Sequence, residues 1–210
     1  MRASISLPNF KNEFDRNVKK ELRKEISARM PVFIQSLKEK LKIELVDAIS
    51  ASPTWRSVKG GALRGELGLF NTASIDNILY TWAEGIEVVY EKNKDLGIIR
   101  IGMIQMDYSD VLSLSESSFI AVSQKSGRSS VVEWLRWLLL ESTQVIVADY
   151  SFYEKLGGRT GLGIMIKTGR GWQIPPEHAG SATDNFATRS LQDIGNVIDR
   201  VVEVEVKRRF

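Results

Sequence analysis

An α+β fold is what this sequence predicts: an antiparallel, sandwich-like β-sheet body packed with helices, led by a long N-terminal amphipathic helical arm. Three observations predict it. Apolar residues recur every three or four positions from Phe14 to Ala48, strand-length apolar runs bounded by turn residues fill the middle, and an N-capped amphipathic segment starts near Asp184. At 210 residues, with 43% hydrophobic and 26% charged side chains, the chain has the composition of one well-cored domain.

The arm occupies residues 1–51. Phe14, Val18, Leu22, Ile26, Met30, Phe33, Leu37, Leu41, Leu45 and Ala48 make one apolar row on an otherwise charged rod. Pro31 removes the amide that would bond the Ser27 carbonyl, so either a kink or two helices is expected there. A rod this long overhangs a compact domain, so part of the row, with Phe33, Leu37 and Leu41 as candidates, is expected to meet a neighbouring subunit. Residues 52–74 read as a glycine-bearing basic loop, because Pro53 and four glycines interrupt SPTWRSVKGGALRGELG. Arg56, Lys59 and Arg64 in it face either solvent, a nucleic-acid backbone or an acidic protein surface.

Residues 75–210 read as the α+β body. Ile75 to Glu84 is a short amphipathic helix, and IEVVYEK (Ile86 to Lys92) and GIIRIGMIQM (Gly97 to Met106) are strands of an antiparallel hairpin turning at Asn93 to Leu96. Ser130 and Glu133 suggest a capping box before VVEWLRWLLLE, a helix with so few charges that it is expected to be buried on nearly every side. QVIVADY (Gln144 to Tyr150) reads as a strand. Gly161 to Thr168 and Trp172 to Ile174 then read as a hairpin across Gly169, Arg170 and Gly171. Asp184 is the expected N-cap of a last helix to about Arg200, and the alternating Val202, Val204 and Val206 suit a strand better than a helix.

Several chemistries fail on their motifs. Ile166 stands where a P-loop needs glycine before Lys167 and Thr168, and Ile166 again occupies the third glycine position of a dinucleotide fingerprint. Zero cysteines exclude disulfides and thiolate ligands, and the single histidine, His178, makes a poor transition-metal site. No cofactor and no metal are assigned. A hydrolase built on Glu177, His178 and Asp184 is the weakest alternative. Trp134 and Trp137 read as core rather than as a base-stacking platform, since Arg136 is the only cation interleaved with them. Trp55, Trp82 and Trp172 sit near turns and junctions, where large amphipathic rings often anchor interfaces.

Net charge is +3, with 10 Lys/Arg against 5 Asp/Glu between Lys11 and Lys42. Such a basic helix either binds nucleic acid or is a solvated face. No apolar run approaches a bilayer span and MRASISLPNFKNEF lacks the apolar centre of a signal peptide, so no membrane partner is expected.

Three segments together resemble virion proteins of tailed bacteriophages, in particular the head–tail connector and tail-completion proteins of the neck. They are the basic amphipathic N-terminal helix, GGALRGELGL at residues 60–69, and VVEWLRWLLLE leading into GRTGLGIMI and PPEHAGSATDNFATRSL. The resemblance implies a non-enzymatic virion protein assembled in the host cytoplasm. It would form a homo-oligomeric ring, six-fold or twelve-fold, bind adjacent neck and tail proteins, and pass double-stranded DNA through its lumen without sequence specificity. On that reading Arg56, Lys59, Arg64 and Arg170 face DNA or a neighbour, and Phe33, Leu37, Leu41, Trp55 and Trp172 contribute to interfaces. The alternative from another class is a nucleic-acid-binding protein using the basic N-terminal helix.

Overall fold

In the computed structural model the described residues are 10–69, 71–92, 97–105, 107–122, 129–146, 149–154 and 163–210. Helix α1 (Phe10–Ala51) is continuous through Pro31, as one helix rather than two. Pro31 lies on the exposed side, where water can take up the Ser27 carbonyl it leaves without an amide. From Met30 onward, Met30, Phe33, Leu37, Leu41, Leu45 and Ile49 are buried. Ile49, not Ala48, completes the row. A four-residue step turns about 40° around a helix with 3.6 residues per turn, so the row winds around α1 and several elements cover it in succession.

Those elements are α2 (Pro53–Gly60), α4 (Asp76–Glu84), β1 (Glu87–Glu91), α7 (Phe186–Asp193) and α8 (Gly195–Arg209). α8 covers the first part, where Phe33 packs on Phe210 at 5.7 Å between ring centroids. Lys42 reaches α4 through Glu84 at 2.8 Å. Beside this helix an aromatic cluster fills the core: Phe186 lies 6.0 Å from Trp55 and 6.1 Å from Trp82, whose ring meets Tyr108 edge-on at 6.5 Å.

The loop expected over residues 52–74 is corrected: most of it is helix α2 followed by α3 (Ala62–Glu66). Ser52 is an N-cap whose side chain accepts from Trp55 N at 3.2 Å, and Pro53 occupies the first turn, where its missing amide costs nothing. Gly61 then breaks the path, since a Cβ there would lie 2.9 Å from Ser57 Cα. The helix expected at Ile75 to Glu84 is present as α4, with Ile75 as its N-cap.

β1 pairs antiparallel with β2 (Ile98–Gly102), matching the expected hairpin; its expected turn, Asn93 to Leu96, lies outside the described residues. After α5 (Ser109–Leu112) and a 3-10 turn at Ser115–Ser117, β3 (Phe119–Val122) pairs with β4 (Ser129–Val132). Ser130 therefore belongs to a strand. The expected capping box is absent, and α6 (Trp134–Leu139) starts from Glu133 without a side-chain cap bond. Its burial is as expected, with Trp134, Leu135, Leu138 and Leu139 all at or below 1% exposure.

The strand expected over Gln144 to Tyr150 is displaced to β5 (Tyr150–Glu154), Val147 and Ala148 lying outside the described residues. β5 pairs with β6 (Gly163–Lys167), so the second strand of the expected Gly161-to-Ile174 hairpin is β5 and not Trp172 to Ile174; Gly161 and Leu162 also lie outside the described residues. The Trp172 carbonyl instead accepts from Ile146 N at 2.8 Å, and Gly169 has φ +72°, the left-handed geometry expected of it. Among the described residues the strands form three separate two-stranded antiparallel sheets, which corrects the sandwich-like body. Each hairpin lays its inward side chains, among them Val88, Ile101, Phe119, Val132, Phe152 and Met165, against the helical core instead of against another sheet.

At the C-terminal end the cap is Asn185 rather than Asp184: its side chain accepts from Ala187 N and Thr188 N, while Thr188 Oγ1 accepts from Asn185 N at 2.8 Å. Val202 to Val206 is helix, within α8, and not strand. The inward residues are Ile198, Val201, Val202 and Glu205, a helical spacing hidden because its last member is a carboxylate.

Candidate functional site

Two features of α1 define the surface with most capacity to bind. Below Met30 the apolar row continues into solvent: Phe14 is 57%, Val18 40% and Leu22 47% exposed. The segment from Phe10 to Glu25 projects by about 24 Å at 1.5 Å per residue. Helical geometry places Arg16, Lys20 and Lys24 opposite that row, with Lys19 and Arg23 between them and the row. The arm therefore offers one apolar and one basic face.

The boundary between the arm and the body is set by α8. Arg29 donates to the Arg209 carbonyl at 2.8 Å, closing the last turn of α8, whose Lys207, Arg208 and Arg209 suit the negative end of a helix dipole. Just inside, Glu205 is fully buried with Lys40 Nζ at 2.5 Å and Arg208 and Arg209 at 3.7 and 3.9 Å. The Lys40 ammonium, with Ser36 beside it, holds the Glu205 carboxyl below the usual range, against the opposing effect of burial. This cluster fastens α8 to α1, and its only trace in the sequence is a glutamate at an inward helical position.

The interface candidates Phe33, Leu37 and Leu41 are corrected. All three have 0% exposure, because the chain's own helices already cover them, and no surface remains for a neighbour. Trp55, at 1%, Trp82, at 0%, and Trp172, at 7%, are likewise core residues. The basic candidates separate. Lys59 pairs with Asp76 at 2.6 Å, Arg56 Nε donates to the Ala51 carbonyl at 2.8 Å, and Arg64 Nε donates to the Leu69 carbonyl at 3.1 Å. Arg56 and Lys59 still border one shallow concavity with Trp55 and Asp76; Arg170 is exposed beyond Gly169, on a different part of the chain. The structure does not gather the four cations into one site.

The Glu177, His178 and Asp184 combination is also not assembled. His178 Nδ1 lies 3.1 Å from Thr54 Oγ1, whereas Asp184 pairs with Arg189 at 2.7 Å and Glu177 is exposed to solvent. Burial lowers the His178 pKa, opposed by nearby Glu177. Thr54 is only 3% exposed, and the pair ties the loop that follows Pro175 and Pro176 to the start of α2. Trp134 is core, its Nε1 donating to the Glu116 carbonyl at 2.8 Å. No helix among the described residues is long and apolar enough to cross a membrane.

Comparison of the chain with protein-family models, with curated proteins and with solved structures gives no match.

Proposed function

We propose that this protein is a structural assembly protein of a phage neck, a homo-oligomeric ring in the virion that joins head to tail and lets DNA pass through its lumen. The observation that carries the assembly role is α1: one 42-residue helix whose second half is the centre of the fold and whose first half extends the same apolar row into solvent. A helix segment of that length is marginal alone in water and gains stability when a partner covers its apolar side. The virion setting comes from the resemblance of residues 60–69, VVEWLRWLLLE and PPEHAGSATDNFATRSL to neck proteins. Ring stoichiometry of six or twelve and contact with adjacent neck and tail proteins belong to the same proposal.

The test is the oligomeric state of the full chain by light scattering and negative-stain microscopy. A closed ring supports the reading. A monomer at high concentration overturns it.

One observation favours a second reading, binding of nucleic acid by the arm. Arg16, Lys19, Lys20, Arg23 and Lys24 form a basic strip along α1 that could follow a phosphate backbone. A monomer that shifts duplex DNA in a gel, with affinity falling steeply as salt rises, would favour this reading over the ring.

A further inference from the structure

The two edges of the exposed row on the arm differ in charge. With about 100° between successive residues, Glu21 and Glu25 fall along one edge of the Phe14, Val18 and Leu22 row, and Lys19 and Arg23 fall along the other. Glu25 also pairs within the helix to Arg29 at 2.6 Å, an exposed contact that solvent weakens. Asp15 is the one residue of the wrong sign on the basic edge.

This polarity distinguishes the ways in which two arms can meet. When two copies of such a helix lie parallel, the acidic edge of one faces the basic edge of the other. When they lie antiparallel, acid faces acid and base faces base, which is unfavourable. The axial offsets also fit. Glu21 is two residues from Lys19 and two from Arg23, about 3 Å along the axis at 1.5 Å per residue, within reach of long side chains. In a cyclic ring whose arms run along the symmetry axis every arm is parallel to the next, and an acidic edge against a neighbour's basic edge repeats without a mismatch at closure.

We infer that the occupant of the exposed row is the same segment of a second copy: the arms of neighbouring subunits pack side by side in parallel register, Glu21 and Glu25 of one against Lys19 and Arg23 of the next. The inference rests on the homo-oligomer reading and specifies how the copies touch. Three apolar layers, Phe14, Val18 and Leu22, which span about 80° of the helix, line the contact; Ile26 packs on the subunit's own core, and the basic side with Arg16, Lys20 and Lys24 remains outward.

The lack of any cysteine makes the test direct. Single Phe14→Cys, Leu22→Cys and Arg16→Cys variants of the full chain are oxidised and their disulfide dimers quantified. Parallel register predicts efficient dimers of the Phe14→Cys variant and of the Leu22→Cys variant, and few of the Arg16→Cys variant, whose thiol lies on the outward side. In a mixture of the Phe14→Cys and Leu22→Cys chains, like pairs should dominate over the mixed pair. A dominant mixed pair means antiparallel arms and overturns the inference, as does equal cross-linking of the Arg16→Cys variant. As a second arm, Glu21→Lys with Glu25→Lys should dissociate the oligomer, and adding Lys19→Glu with Arg23→Glu should restore it. If rings are present by microscopy but these patterns fail, the arm geometry is wrong and the ring stands; if the wild-type chain is monomeric, both are wrong.

Discussion

Leu41 and Leu22 offer a matched test of how α1 is used, because they are the same residue on the same apolar row of the same helix. Leu41 has 0% exposure and Leu22 has 47%. Truncating a fully buried leucine to alanine removes its transfer free energy and leaves a cavity, a loss of about 2.7–5 kcal/mol. The helices packed around Leu41 cannot all collapse onto the gap, which argues for about 3 kcal/mol or more. Truncating Leu22 should change the stability of the isolated subunit by no more than about 0.5 kcal/mol, since both states already expose much of the side chain. The assay is urea unfolding followed by circular dichroism, at a dilution where the midpoint no longer depends on protein concentration. Leu41→Ala should lower the midpoint without changing the slope, and Leu22→Ala should leave it in place while weakening association at high concentration. Equal losses for the two variants, or a loss below about 1 kcal/mol for Leu41→Ala, would refute the division of α1 into a core half and a projecting half.

Three further outcomes are expected. His178 is the only histidine, and burial holds its folded-state pKa below its ordinary 6.5. Protonation therefore favours the unfolded chain: stability is fully present above pH 6.5 and falls as pH drops below it, and His178→Gln should flatten that decline in thermal melts taken above the carboxylate range. Asn185 is fully buried, caps α7 and donates to Tyr108 Oη at 2.7 Å and to the Ser181 carbonyl at 2.8 Å, so Asn185→Ala should cost about 3 kcal/mol in chemical unfolding. Lys40→Met should cost about 1–3 kcal/mol by leaving the Glu205 carboxylate buried without its nearest cation, discounted because Lys40 is partly solvated and Arg208 and Arg209 remain nearby; adding Glu205→Gln should recover most of that loss in the double mutant.

Legibility in the sequence follows the strength of the local signal. The apolar period of α1, the β1 and β2 hairpin, the buried α6 and the left-handed Gly169 can all be read directly. Helix α2 is hidden by its glycine-rich surroundings, although Ser52–Pro53, an N-cap followed by proline, is itself a helix start signature. The end of α8 is hidden because its inward position is Glu205, a charge made tolerable chiefly by Lys40, which is distant in sequence. β5 and β6 differ from expectation because the pairing partner of a short strand is fixed by tertiary contacts, and Gln144 to Tyr150 and Tyr150 to Glu154 carry similar apolar content.

A mixed helix and strand chain with a long helix first follows from residue order alone, because periodicity is a property of neighbouring residues and needs no knowledge of the rest of the fold. The division of that helix into core and surface comes from the assembled fold. Phe14, Val18 and Leu22 are chemically as apolar as Phe33, Leu37 and Leu41, and the difference lies in where α8 ends, with Arg209 against Arg29. Burial depends on what else arrives at a face, and one stretch of sequence does not contain that information.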